Sequence, residues 1–414
     1  MTGRTDWCDV AIIGAGPAGL AAATELKRRG IGRVLVLDRE PVAGGIPRHC
    51  DHHPFGLREF HRLLRGPAYA RRLVAAAEAA GVDIRTGVTV AAIRSGPELE
   101  VSTPEGGLGV IRALRVLIAT GVRESSRAAR LIGGTRPGGV LSTGALQGLV
   151  HLDYLKPVSR PVVVGTELVS FSALLTCRHA GIRPVAMIEG RARATARWPS
   201  ALLPRLMGVP LLIGTRLETI EGRDRVSAVT VRDAAGAVRR IETDGVILTG
   251  DFRPEASLLA GSHLARDRAS GGPVVDDYGR CSDPMIFAAG NLLRPVETAG
   301  WSWMEGRRAG IAIARDLTGG LPTPGAVTLA VAGSPLAYVV PQRVTGGARH
   351  GAGHDHLQFR VDRPVTGRLV LVHDGGEILS RRITARPERR ILVALDDLPA
   401  GLTGRIEARW EDRR

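Results

Sequence analysis

The segment Gly14-Ala15-Gly16-Pro17-Ala18-Gly19 limits what this chain can fold into more than any other. It follows directly on Asp9-Val10-Ala11-Ile12-Ile13, an apolar run that reads as a buried parallel strand. It opens an Ala- and Leu-rich helix that runs to about Arg29, with Gly30 as its stop signal. Val34-Leu35-Val36-Leu37 reads as the next strand, ending at Asp38. Gly14 permits the tight turn, Gly16 lets backbone approach a pyrophosphate, and Gly19 lets helix pack close to strand. Pro17 and Ala18 begin the helix, whose free N–H groups and positive dipole end suit phosphates. Asp38 can accept hydrogen bonds from ribose hydroxyls. A glycine-rich turn alone is weak; with strand, helix and acid in place it predicts a dinucleotide site.

A second unit of the same kind starts at Pro161-Val162-Val163-Val164-Gly165, but its turn continues Thr166-Glu167-Leu168-Val169-Ser170. Glu167 stands where backbone should approach a pyrophosphate, and its carboxylate would repel the phosphates. Ser170 is small enough for helix packing. Two readings stay open: the fold persists with NAD(P) binding lost, or NAD(P) binds in a shifted mode with Glu167 turned outward to a ribose.

Composition narrows the class. The chain has 414 residues, 44% of them hydrophobic and only 4% aromatic, so its cores must be built from Ala, Val, Leu and Ile. The net charge of +15 suggests nucleic acid, yet lysine occurs only at Lys27 and Lys156 and the arginines are scattered. No nucleic-acid motif accompanies them, so no nucleic-acid partner is expected. Peripheral contact with an anionic membrane is compatible with that charge. No apolar stretch of transmembrane length occurs. The cysteines Cys8, Cys50, Cys177 and Cys281 form no CxxC pair. That argues against a zinc ribbon or an adjacent redox disulfide and for a reduced, cytoplasmic setting.

His49, Cys50, His52 and His53 cluster soon after Gly44-Gly45. They are the candidate catalytic residues, one histidine serving as acid or base toward an amine or hydroxyl substrate. The spacing matches no familiar zinc arrangement, so no metal is expected, and a polar hydrogen-bonding loop is the plainer alternative. Arg123 and Glu124, after Thr120-Gly121, read as polar residues of a domain crossover.

Together these marks resemble the pyridine nucleotide-disulfide oxidoreductase superfamily of two-domain flavoproteins. They are GAGPAG from Gly14, LDRE around Asp38, Gly44-Gly45, IATG ending at Gly121, Gly250 to Pro254, and FAAGN ending at Asn291. The segments GGIPRHC, FGLREF, RGPAYARRL and GGTRPGGVLSTGALQ resemble a branch that includes FAD subunits of hydrogen cyanide synthase, opine oxidase and dye-linked proline dehydrogenases. The resemblance implies an α/β fold of the glutathione-reductase type, with one FAD and one degenerate NAD(P) Rossmann-like domain. It implies FAD as cofactor, with Arg39, Gly45, Thr120, Gly121 and Gly290 beside it. Asn291 stands where an Asp is usual and can still bond a ribityl hydroxyl. The helix opened by Thr298, Gly300 and Trp301 points its N-terminus at the flavin, where its dipole would stabilise reduced flavin. Paired cysteines after Gly45 are missing, so disulfide reductase chemistry is not expected.

The expected domains are residues 1–154 and 256–322 for FAD, 155–255 for the NAD(P)-like unit, and 323–414 for a small β-rich, sandwich-like domain. Leu357–Val361, Arg368–Val372, Arg390–Leu395 and Gly404–Trp410 read as strands, with Gly375-Gly376 as a hairpin turn. The three histidines within 346–356 read as part of a loop. The favoured function is an FAD-dependent oxidoreductase, one member of a complex that oxidises a small-molecule amine, amino acid or hydroxy acid. Its partner would be a second protein subunit. The alternatives are a free-standing NAD(P)H-dependent FAD reductase and a catalytically idle flavoprotein scaffold.

Overall fold

A computed structural model describes residues 4–103, 107–196, 202–325, 327–345 and 351–412. Of the histidine-rich stretch, residues 346–350 lie outside the described residues.

The first unit begins with β1 (Arg4–Ile13), α1 (Pro17–Arg28) and β2 (Val34–Leu37). α2 (Leu57–Phe60) and α3 (Gly66–Ala79) lead to β3 (Asp83–Arg85), β4 (Thr89–Arg94), β5 (Glu98–Ser102) and β6 (Leu108–Ile118). The sheet order is β3-β2-β1-β6-β5-β4, parallel at β1 with both neighbours. Val10, Ala11 and Ile12 are fully buried and every residue of β2 is buried. Parallel strands covered on both faces need such continuous apolar runs.

β7 (Val122–Glu124) crosses to the second unit. There follow β8 (Gly133–Gly134), β9 (Val140–Ser142), α4 (Thr143–His151), β10 (Val162–Val164), α5 (Leu168–His179) and β11 (Ala186–Glu189). α6 (Leu203–Leu206), β12 (Leu211–Ile213), β13 (Arg216–Gly222), β14 (Val226–Arg232), β15 (Val238–Glu242) and β16 (Val246–Leu248) complete it. Its parallel sheet runs β12-β11-β10-β16-β9. β9 therefore joins this sheet although it precedes residue 155, where the second unit was expected to begin.

β17 (Phe252–Pro254) pairs with β7 and returns the chain to the first unit. After α7 (Ser257–Ala260), β18 (Ile286–Ala288) extends the first sheet beside β6. α8 (Ala299–Leu317) then packs along α1. A Cβ on Gly306 would lie 2.0 Å from the Ala18 carbonyl oxygen and one on Gly310 2.8 Å from that of Ala22. Only glycine at these i, i+4 positions lets the two helix backbones touch, and that contact brings both N-termini to one end of the sheet.

The remaining strands are β19 (Val327–Val331), β20 (Leu336–Val340), β21 (Arg343–Val344), β22 (His356–Val361), β23 (Val365–His373), β24 (Gly376–Ala385), β25 (Ile391–Ala394) and β26 (Gly404–Asp412). They form a five-stranded sheet, β21-β19-β26-β23-β24, and a three-stranded sheet, β20-β22-β25. Leu357, Phe359, Leu369, Leu371, Val393 and Ile406 fill the core between them. Asp374 and Gly375 take positive φ at the β23–β24 turn, where the Gly-Gly signal stands. The chain is thus α/β with two Rossmann-like units and a C-terminal β-rich part. Among the described residues no helix is long and apolar enough to cross a membrane.

Candidate functional site

The first glycine turn has the form that a pyrophosphate cradle needs. Gly14 has φ +109°, and a Cβ there would meet the Ala119 carbonyl oxygen at 2.5 Å. A Cβ on Gly19 would lie 1.9 Å from the Gly14 oxygen, so helix and strand meet only because residue 19 has no side chain. Gly16 differs: a Cβ there would touch nothing. Its side is open space in front of α1, whose N-terminus no side chain caps. Pro17 and Ala18 form the first turn. Gly45, at φ +64°, presses on Gly16, its notional Cβ 2.8 Å from the Gly16 Cα. The loop after β2 thus forms one wall of the cradle.

Asp38 closes β2. Its carboxylate accepts from the N–H of Ala15 (2.6 Å) and of Glu40 (2.9 Å), which fixes it beside the turn. Arg39 next to it is exposed. Thr120 and Gly121 are committed to the crossover: the Thr120 hydroxyl donates to the Glu255 carbonyl (2.8 Å) and the Gly121 carbonyl accepts from the Glu255 N–H (2.9 Å).

Gly290, at φ +76°, faces α1, with a notional Cβ 2.8 Å from the Ala18 methyl. The Ser302 hydroxyl lies beside it, buried and without a hydrogen-bond partner. An orphaned buried hydroxyl between the N-terminal turns of two helices, next to open space at Gly16, fits a polar ligand laid across that end of the sheet. These residues fit FAD.

Residues expected beside the cofactor at this end of the sheet are also engaged by the protein itself. The Asn291 amide is engaged at both ends: its nitrogen donates to the Glu297 carbonyl (3.0 Å) and its oxygen accepts from the Glu297 N–H (2.7 Å). It staples the loop ahead of α8. Trp301 carries the Arg58 guanidinium 3.8 Å and the Arg390 guanidinium 3.6 Å from its ring centroid, which leaves room for one on each face. Its ring is therefore covered by cations. Trp303 packs on the first unit's core. Thr298 caps α8 by backbone only, and Gly300 lies close to Glu59, its notional Cβ 3.2 Å from the carboxylate.

The histidine cluster is divided. His49 is buried, its Nδ1 3.4 Å from the Gln147 amide oxygen on α4. The buried Cys50 thiol donates to the same oxygen (3.5 Å), and the Gln147 nitrogen donates to Ser172 (3.0 Å) on α5. Burial pushes the Cys50 thiol up to about 12, with Glu124 adding to it, so it is a neutral thiol at physiological pH. Burial lowers His49, which keeps its ring neutral and able to take a proton. His52 turns to the His53 carbonyl (3.0 Å), and His53 is exposed. The cluster thus splits into a buried pair facing the second unit and two outer histidines.

Glu124 sits at the crossover, as its place in the sequence suggests, and holds more of it than expected. Its carboxylate accepts from the N–H groups of Gly144 (2.9 Å) and Gly250 (3.0 Å), tying α4 and the return crossover together. A cleft of about 390 Å³ opens beside it, lined by Ser126, Arg127, Arg136 and Ser142 among others.

In the second unit Gly165 has φ +112°, the turn geometry of Gly14. The Glu167 carboxylate is folded inward. It accepts from the Asp251 N–H (2.9 Å) and lies over Gly250, whose notional Cβ would be 2.3 Å from its Cδ. Burial raises this carboxyl, opposed by the Asp251 N–H. Ser170 is fully buried and hydrogen-bonded to Thr249 (2.5 Å). Glu189, which sequence reasoning missed, ends β11 as Asp38 ends β2. It accepts from the Thr166 hydroxyl and from the Arg191 N–H (2.9 Å). The signal for it was present in the sequence, an acid closing the second strand after Gly165. The residues of this turn do not fit a pyrophosphate as they stand.

Two family models match the chain: an NAD(P)-binding Rossmann-like domain over residues 12–71 and a pyridine nucleotide-disulphide oxidoreductase over residues 147–306. An opine oxidase subunit of Agrobacterium tumefaciens is 28% identical over 346 residues, covering 76% of this chain and 67% of that protein. The alpha subunit of the Rhizobium meliloti sarcosine oxidase is 27% identical, covering 77% of this chain. The chain spans only 31% of that protein's length. The thioredoxin reductase of T. acidophilum superposes with a TM-score of 0.64 at 24% identity, over 75% of this chain and 99% of that one, a likeness of fold. On its two successive Rossmann units and these matches, the chain is an FAD-dependent oxidoreductase similar to the pyridine nucleotide-disulphide oxidoreductases.

Proposed function

We propose that this chain is the FAD-bearing subunit of a dehydrogenase complex that oxidises a small amine, amino acid or hydroxy acid. The observation that carries the reading is the contrast between the two turns. Gly16 leaves open space before α1, whereas the N-cap of α5 is Glu167, whose carboxylate is held over Gly250 by the Asp251 N–H. A carboxylate at the N-cap of the second turn opposes a pyrophosphate there, which favours an electron partner other than nicotinamide.

FAD, when bound, supplies a two-electron acceptor for hydride. The chain's residues would do the rest. Gly14, Gly16, Gly19 and the α1 N-terminus would hold the pyrophosphate, and Asp38 a ribose. Neutral His49, oriented by Gln147, is the proposed proton acceptor for a substrate N–H or O–H. The names of the relatives, subunits of opine and sarcosine oxidases, support both the amine class and a partner that is a second protein subunit. Four free, buried cysteines accord with a reducing, cytoplasmic setting.

The test is purification from the native cell, with identification of co-purifying chains, then an anaerobic screen of flavin reduction over amines, amino acids, hydroxy acids and nicotinamides. Reduction by one of the first three classes supports the reading. Reduction by NADH or NADPH alone would replace it with a free-standing flavin reductase.

A further inference from the structure

The C-terminal sandwich is attached to the loop that precedes α8 by charged and polar side chains from all three strands or strand ends of its smaller sheet. Tyr338 of β20 donates its hydroxyl to the Pro295 carbonyl (2.9 Å). Gln358 and Arg360 of β22 donate to Glu297 Oε1 at 2.7 and 2.8 Å. Arg390, just ahead of β25, reaches Glu297 Oε2 at 3.3 Å. The Glu297 side chain is only 7% exposed, so its charge is held in place by these donors rather than by water. Its backbone is stapled by Asn291, one residue beyond Gly290.

A second buried pair lies beneath. Arg294, whose side chain is 1% exposed, pairs with Glu305 on α8 and donates to Gln358 (3.0 Å). Burial alone would raise the Glu305 carboxyl, but Arg294 outweighs it and holds it below its usual range. Such a network keeps one geometry because each displaced member would strand a desolvated charge.

Arg390 belongs to both the loop and the helix. Besides pairing with Glu297, its guanidinium lies on Trp301 in the first turn of α8. A planar, delocalised cation can stack and hydrogen-bond at once; an ammonium cannot. Arg58 lies on the same ring, from the first unit.

We infer that Arg390, delivered by the C-terminal sandwich, is a positioning residue of the flavin site: through Glu297 and Trp301 it fixes the N-terminus of α8. The sandwich is then part of the redox centre and not an appended docking module. This rests on reading the chain as a flavoprotein with that helix end near the flavin. It also sets the local charge: the arginine favours, and the glutamate opposes, the negative charge of reduced flavin.

The test uses full-length protein carrying its flavin, with the midpoint potential and FAD release measured for the wild type, Arg390→Ala, Arg390→Lys and Glu297→Gln. Arg390→Ala should lower the potential and Glu297→Gln should raise it. Arg390→Lys, which keeps the charge but not the stack, should hold the potential. Arg390→Ala should also release FAD about tenfold more readily, the scale of one lost charge-assisted hydrogen bond. Should the alanine variant not fold, Arg390→Gln carries the same sign. Damage to structure alone would move both potentials one way, so shifts of equal sign, or none, overturn the inference. A wild type that purifies without flavin would instead overturn the proposed function.

Discussion

Gly16 and Glu167 occupy the same place in two copies of one structural unit. Each is the N-cap of the helix that follows a glycine turn, α1 after β1 and α5 after β10, with φ −84° and ψ −175° for Gly16 and φ −69° and ψ 168° for Glu167. The two N-cap residues share one backbone conformation and differ in what their side chains do. At Gly16 the space is open; at Glu167 a carboxylate turns inward and accepts the Asp251 N–H. The first turn is open where the second carries a half-buried, hydrogen-bonded carboxylate.

Gly16 and Gly19 should fail in different ways. Gly16→Ala meets no protein atom, so the variant should fold normally yet retain FAD at least about tenfold less well, since its methyl enters the space for the pyrophosphate. Gly19→Ala drives a methyl into the Gly14 carbonyl and should cost stability by about 1–3 kcal/mol or more. Urea unfolding and the ratio of flavin to protein absorbance separate the two.

Glu167→Gly should create binding of nicotinamide dinucleotides where the wild type has little. Glu189 is already fixed at the end of β11, and a carboxylate there favours the ribose hydroxyls of NADH over the phosphate of NADPH. Calorimetric titration of wild type and variant should show a gain of about tenfold or more for NADH. Equal, weak binding by both would mean that Glu167 is not the obstacle.

His49 ties stability to pH. Unfolded, it takes up a proton near its usual 6.5, whereas burial lowers that value in the folded chain. Protons below that pH therefore bind the unfolded chain preferentially. Stability should be full above 6.5 and fall as the pH drops towards the lowered folded value. His151 and His354, also lowered by burial, act in the same direction. Glu167, raised by burial, works oppositely, losing its contribution as the pH rises through its folded value. His49→Gln should reduce the acid slope by up to about one proton, read from thermal unfolding across that range.

Asp276 and Arg280 form a buried pair at 2.7 Å, their side chains 1% and 3% exposed. Arg280 also donates to the Pro322 carbonyl (2.7 Å) where the chain leaves for the sandwich. Asp276→Ala leaves the guanidinium buried without its partner and should destabilise the protein by about 3–5 kcal/mol. Replacing both residues by apolar ones of similar volume should recover much of that loss.

Much of the fold is legible from local pattern, because parallel strands buried on both faces must be apolar and glycine turns must be glycine. That is why β1, α1, β2 and β18 stand out, and why Gly14, Gly19 and Asp38 can be named without coordinates. β24 is harder to see: Glu377, Ser380, Arg381 and Arg382 give it an exposed, charged texture, and it is held by pairing with β23. β9 is three residues long and is defined by its register with β16. Glu297 and Arg390 meet across 93 residues, a separation that no local motif encodes. Asn291 shows the limit at a single residue: its position suggests a cofactor contact, while its amide is engaged by the Glu297 backbone.

The most direct measurement is anaerobic mixing of the purified protein with NADH and with NADPH while the flavin absorbance band is followed, with dithionite added last. The predicted result is a bound flavin that neither nucleotide bleaches and that dithionite bleaches fully. Rapid bleaching by either nucleotide, or a protein without flavin, would contradict it.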